Sequence, residues 1–221
     1  MSTMKAVVLI ADLVKSREVA DRARFQRFLK AVLGETSGRR RDSLLSPLTL
    51  TLGDEFQAVY ANWDDVFRDV LGIMSRIYPK RIRVAIGHGA LDTDVNPKAA
   101  LEMDGPSFVQ ARDLMDQLKA LDRSVIQIAT SDSLTLDMHN AGLRLFFHEF
   151  DRWNSNAVRM FDQLMNGASA TTISEELGIS VRAVHKAMKT HAMSDAVAFI
   201  QSLSEDLNTR LPADTRSPPV G

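Results

Sequence analysis

The chain has 221 residues, 45% apolar and 25% charged, with a formal net charge of −1 and no cysteine. This length suits one main domain with a small appendage, and the charge balance excludes both a wholly basic nucleic-acid coat and an acidic disordered chain. Without cysteine there is no disulfide framework and no thiolate metal site, and the lack of a long apolar run predicts a cytoplasmic protein with no membrane partner.

Residues 5–12 form an apolar, β-rich run ending in the carboxylate of Asp12, which predicts a strand. Lys15, Ser16 and Arg17 follow it directly. They suit either a phosphate, met by backbone amides and positive side chains, or a solvated basic turn. A helix comes next, with Ala20, Phe25, Phe28, Leu29 and Val32 on one face. Residues 34–46 carry the run Arg39, Arg40 and Arg41, lack periodicity and predict a loop.

Residues 48–52 and 56–60 both alternate, and Gly53-Asp54 between them predicts a hairpin turn. If the hairpin packs beside the first strand, Asp12 and Asp54 meet at one edge of a sheet. Neighbouring carboxylates repel unless a proton or a divalent cation lies between them, and Mg²⁺ held by carboxylates and substrate phosphates meets that need. The plainer alternative has Asp12 capping a loop and Asp54 serving the turn.

Val66, Val70, Ile73 and Ile77 recur at helical spacing, which predicts a helix over 62–78 stopped by Pro79. Residues 81–87 read as a central strand leading to His88, which is either structural or an acid or base without a visible partner. The acidic stretch 92–104 lacks the spacing of a calcium loop. From Gly105-Pro106, Phe108, Ala111, Met115 and Leu118 mark a helix, with Arg112 and Lys119 on other faces. A strand over 124–129, a short helix over 133–138 and a strand over 143–147 complete this part. The order predicts an α+β sandwich of the ferredoxin-like kind, with helices on one face of a largely antiparallel sheet.

Residues 153–165 predict a helix, ended by Asn166-Gly167. Residues 171–189 then give a short helix, a Leu177-Gly178-Ile179 turn, Ser180 as N-cap and a second helix, a pattern that resembles a helix-turn-helix. The second helix bears Arg182, His185, Lys186 and Lys189 and no acid, so Ser180 and these four are the candidate DNA-binding residues. An ordinary helical hairpin with a solvated basic face is the alternative. A closing helix with Met193, Ala196, Val197, Ile200, Leu203 and Leu207 follows. The expected organisation is an α+β domain over 1–150, a small all-α helix-turn-helix domain over 151–208 and a disordered tail over 209–221.

Several of these segments resemble known families. Residues 7–14 resemble the first strand of class III nucleotidyl cyclases, and Leu52-Gly53-Asp54-Glu55-Phe56 resembles the hairpin those share with GGDEF diguanylate cyclases, with Leu52 in place of the first glycine. Residues 81–89 and 105–112 are similar to the next cyclase strand and helix. The whole ordering, with Ala-Asp-Leu-x-x-Ser-Arg, Gly-Asp-Glu-Phe-Gln and a final helix-turn-helix, resembles the SatD family of bacterial proteins. The cyclase resemblance implies that Asp12 and Asp54 hold Mg²⁺ on a nucleoside triphosphate, and that the site forms in a homodimer. The asparagine and arginine that cyclases carry on the helix after the central strand match Val109 and Asp113 here, with Arg112 one residue off register. Losing a cation that offsets transition-state charge lowers rate by orders of magnitude. No catalytic residue is therefore assigned.

Two functions follow as expectations. The first is a DNA-binding transcriptional regulator whose cyclase-like sensor domain binds a nucleotide or metal. The second is a Mg²⁺-dependent nucleotidyl cyclase or nucleotidyltransferase, with Asp12 and Asp54 as metal ligands and Lys15, Ser16, Arg17 and Arg112 as nucleotide-binding residues.

Overall fold

Strand β1 (Lys5–Leu13) is apolar on both faces and is buried on both. Val7, Leu9, Ala11 and Leu13 point into one apolar cluster, and Ala6, Val8 and Ile10 into another. Such a strand belongs at the centre of a covered sheet. The computed structural model, which describes residues 4–39, 42–51, 53–132 and 134–212, places it there.

The sheet has five strands in the order β2-β3-β1-β4-β5, with β2 (Leu44–Leu50), β3 (Phe56–Tyr60), β4 (Ile82–Ala90) and β5 (Val125–Thr130). Strand β1 runs antiparallel to β3 and β4, and β4 runs parallel to β5, so the sheet is mixed. Strand β2 lies at the edge, where Pro47 and two register shifts are tolerated because no further strand needs its amides.

The expectation of helices on a single face needs correction. Helices α1 (Arg22–Ser37) and α2 (Val66–Ile77) cover one face, whereas α3 (Pro106–Leu118) packs Phe108, Ala111 and Met115 on the other. The two-sided burial of β1 demands this second layer. Gly87 on β4 permits it, since a Cβ there would lie 2.1 Å from the Ser107 carbonyl oxygen of α3. Within α1 the buried residues are Leu29, Val32, Leu33 and Thr36, while Phe28 faces outward and Ala20 precedes the helix.

The strand predicted over 143–147 is helical, part of α4 (Asp137–Phe150). Leu143, Phe147 and Phe150 recur at four and three and point into the core, which is helical spacing. Asn140 on α4 pairs with the edge of β5: its side chain donates to the Ile128 carbonyl and accepts from the Ile128 amide, both at 2.8 Å. The predicted loop over 34–46 shrinks, because α1 runs to Ser37 and β2 starts at Leu44. Arg40, Arg41, Leu52 and Ser133 lie outside the described residues.

Helix α5 (Ser155–Met165) is followed by α6 (Ala170–Leu177) and α7 (Val181–Thr190). Gly178 between the last two takes a left-handed conformation at φ 65°, and Ser180 caps α7 by accepting from the Ala183 amide at 3.2 Å. Helix α8 (Met193–Arg210) is the last element among the described residues. An aromatic group of Phe146, Phe147, Phe150, Trp153 and Phe161 links α4 to α5, and the apolar cluster continues unbroken to Ile200, Leu207 and Leu211. Residues 209 and 210 of the predicted tail belong to α8 and Leu211 is buried, while 213–221 lie outside the described residues. No helix among the described residues is long and apolar enough to cross a membrane.

Candidate functional site

Asp12 belongs to the α3 face of β1, directly across from Arg83 of β4 in the strand register. Arg83 donates from Nη1 to Asp12 Oδ2 at 2.8 Å and from Nε to the Leu121 carbonyl at 2.7 Å. Burial pushes the Asp12 carboxyl above its ordinary pKa, the charge of Asp54 adds to the rise, and Arg83 and Lys119 oppose it. Asp54 sits in the β2–β3 turn, where Gln26 of α1 steadies the loop by donating to the Gly53 carbonyl at 2.6 Å. Its Oδ2 is buried without a hydrogen-bond partner.

The hairpin thus brings the two carboxylates into electrostatic contact. A buried oxygen with no donor, beside a second carboxylate whose ionisation is opposed, suits a hard cation completed by substrate oxygens. Among the described residues no group of three or more His, Cys, Asp or Glu could hold a metal.

The phosphate-binding candidates are placed less uniformly. Lys15, left-handed at φ 53°, starts the 3-10 turn Ser16–Glu18 and pairs with Asp122 at 2.6 Å, both exposed. Ser16 lines a small cleft with Asp54, Leu13 and Gln26. Arg17 is exposed. Arg112 on α3 lines a cavity of about 70 Å³ with Ile10, Glu55, Met115, Asp116 and Lys119, on the face that carries Asp12, and Lys119 pairs there with Asp116 at 3.3 Å. Val109 and Asp113, at the cyclase asparagine and arginine positions, are both exposed.

Sequence reasoning assigned no role to Arg83 or Lys119. The signal for Arg83 was a charged residue inside an otherwise apolar strand, which implies a partner. For Lys119 it was its seven-residue spacing from Arg112, which returns to nearly the same side of a helix. His88 stands apart from the site. It is fully buried, with Nδ1 3.4 Å from Thr130 Oγ1 and 3.6 Å from Asp132 Oδ2, and burial lowers its pKa.

Later in the chain, Ser180, Arg182, His185, Lys186 and Lys189 are all exposed on α7 or at its start. Ser180 is engaged as the helix cap. The four cationic or titratable side chains project from a helix that carries no acid.

The sequence pattern of the SatD family matches residues 6–197. The chain belongs to the SatD family. This SatD-family chain has no match among curated proteins. Among solved structures it is similar to the dimeric guanylyl cyclase domain of the RhoGC fusion protein from the aquatic fungus Blastocladiella emersonii, at 14% identity and a TM-score of 0.43. That likeness covers 57% of this chain and 79% of the other. The catalytic core of a rhodopsin-guanylyl cyclase with converted specificity, in complex with ATPαS, is 16% identical with a TM-score of 0.41, over 57% and 78%. A bacterial light-regulated adenylyl cyclase is 14% identical with a TM-score of 0.39, over 59% and 77%.

Proposed function

We propose that residues 1–150 bind a nucleoside triphosphate with Mg²⁺ at Asp12 and Asp54 and act on its phosphates, as a nucleotidyl cyclase or nucleotidyltransferase. The observation that carries this reading is the paired carboxylate site, in which Asp54 keeps a buried oxygen without a partner and raises the pKa of Asp12. When bound, Mg²⁺ would neutralise charge on the phosphates and orient them for displacement. The protein's own part is positional. The hairpin and β1 fix the two carboxylates, and Arg112 and Lys119 on α3 supply positive charge to phosphate oxygens beside them. Ser16 lies in a separate small cleft beside Asp54, where its backbone and hydroxyl can meet an anion. By resemblance to the cyclases, the working unit is a homodimer.

Product analysis tests it. The purified chain with Mg²⁺ and each nucleoside triphosphate should release pyrophosphate, and Asp54→Asn should remove that release. Equal turnover by wild type and Asp54→Asn would end the assignment.

The exposed, acid-free face of α7 supports a second reading, in which residues 151–208 form a helix-turn-helix that binds DNA and the sheet domain acts as its nucleotide sensor. Ser180 and Arg182 at the helix start, with His185, Lys186 and Lys189 along it, would meet phosphates and base edges. Nucleotide-dependent binding to DNA without turnover would favour this regulator over the enzyme.

A further inference from the structure

Arg83 is 8% exposed, and its guanidinium is fixed from two sides. The β1–β4 register sets it opposite Asp12, and the Leu121 carbonyl after α3 holds Nε at 2.7 Å. Its Nη1 is directed at Asp12 Oδ2, at 2.8 Å. An arginine side chain keeps its charge in a protein, so this oxygen faces a permanent cation. Asp54 Oδ2 is in the opposite condition, buried with no donor.

Two divalent cations shared by Asp12 and Asp54 would need both oxygens of Asp12. The second ion would then sit against the guanidinium, two like charges competing for one oxygen, and Arg83 is itself nearly buried and held by the Leu121 carbonyl. One ion, between Asp54 and the free side of Asp12, meets no such conflict.

We propose that Arg83 is the built-in counter-cation of Asp12, so that the site takes one divalent cation per chain where two carboxylates alone would take two. This inference rests on the metal and nucleotide reading above. Arg83 is a positioning residue: it fixes the Asp12 carboxylate and decides which oxygen remains free.

The test is a count of bound Mn²⁺ by electron paramagnetic resonance, using the full chain and a non-hydrolysable nucleoside triphosphate. Wild type should bind one Mn²⁺ per chain, and Asp54→Asn should lose it. Arg83→Met should bind a second Mn²⁺, while Arg83→Lys, which keeps the charge, should stay at one. Two Mn²⁺ in wild type would overturn the role of Arg83 and leave the metal reading standing; no bound Mn²⁺ at all would overturn both. If Arg83→Met does not fold, the wild-type count still decides. A folded Arg83→Met that stays at one Mn²⁺ would also overturn it.

Discussion

Asp12 is subject to three opposed charges within one small region: Arg83 and Lys119 favour its ionised form, and Asp54 disfavours it. With burial added, the folded chain holds the Asp12 proton more tightly than the unfolded chain does. Ionising Asp12 therefore works against folding once the pH passes its unfolded value of 3.8, and the penalty is absent in more acidic solution where both states are protonated. Removing the Asp54 charge should relieve part of it. Asp54→Asn is expected to raise the melting temperature at pH 7 by about 2–4 °C, the effect of about 1 kcal/mol in a chain of this size. Scanning calorimetry at pH 7 and again at pH 3 checks this, and a gain that persists undiminished at pH 3 would contradict it. The pair itself was legible, since a strand ending in Asp12 and a Gly-Asp turn are local patterns. The Arg83 partnership was not, because it depends on the register between strands 71 residues apart in sequence.

At the scale of elements, the position of α3 decides whether Arg112 and Lys119 reach the site. Gly87→Ala would drive a methyl group into the α3 backbone near Ser107 and Ala111. Overpacking of this kind costs about 1–3 kcal/mol, and here backbone must move, so the upper end or beyond is expected in denaturant unfolding. Strand β4 also carries His88, whose pKa is lowered by burial. Its contribution to stability is fully present above its unfolded value of 6.5 and is lost as the pH falls through the folded value. His88→Gln should flatten the stability profile below its unfolded value of 6.5; an unchanged slope would locate the dependence elsewhere. On α7, Lys186→Ala and Lys189→Ala should each reduce the salt slope of DNA binding by about 1 if they touch phosphate. Affinity and slope both unchanged would remove these lysines from the DNA reading.

The two misread elements have different causes. Residues 143–147 form a short apolar run, which by itself fits a strand or a buried helix. The decision came from Phe150 and Leu136, buried at helical spacing from Leu143 but outside that window. The second helical layer was legible in principle, because β1 has no polar face for solvent. Its consequence was missed by treating the antiparallel pattern as one-sided.

Across the whole molecule, one apolar cluster runs from β1 through the aromatic group of α4 and α5 to α8. The end of α8 is fastened back to the sheet domain. Trp63 donates from Nε1 to the Leu211 carbonyl at 3.2 Å, and its amide donates to Asn208 Oδ1 at 2.9 Å. Sequence patterns showed the three parts but not this continuity, which arises from contacts between residues 145 and 148 positions apart. Such a core should unfold as one cooperative unit, so calorimetry should give a single transition with matching calorimetric and van't Hoff enthalpies. Within this frame Asp54 Oδ2, buried without a partner beside a carboxylate whose pKa it helps to raise, is a feature that folding alone does not explain.

The most direct measurement is thermal unfolding of wild type and Asp54→Asn with nucleoside triphosphates, with and without Mg²⁺. At a hundred times its dissociation constant a ligand of the folded state adds about 2.7 kcal/mol of stability. Wild type should show that gain with Mg²⁺ and a nucleotide together, and Asp54→Asn should not. The same shift in both proteins, or no shift with any nucleotide, would contradict a metal and nucleotide site at Asp12 and Asp54.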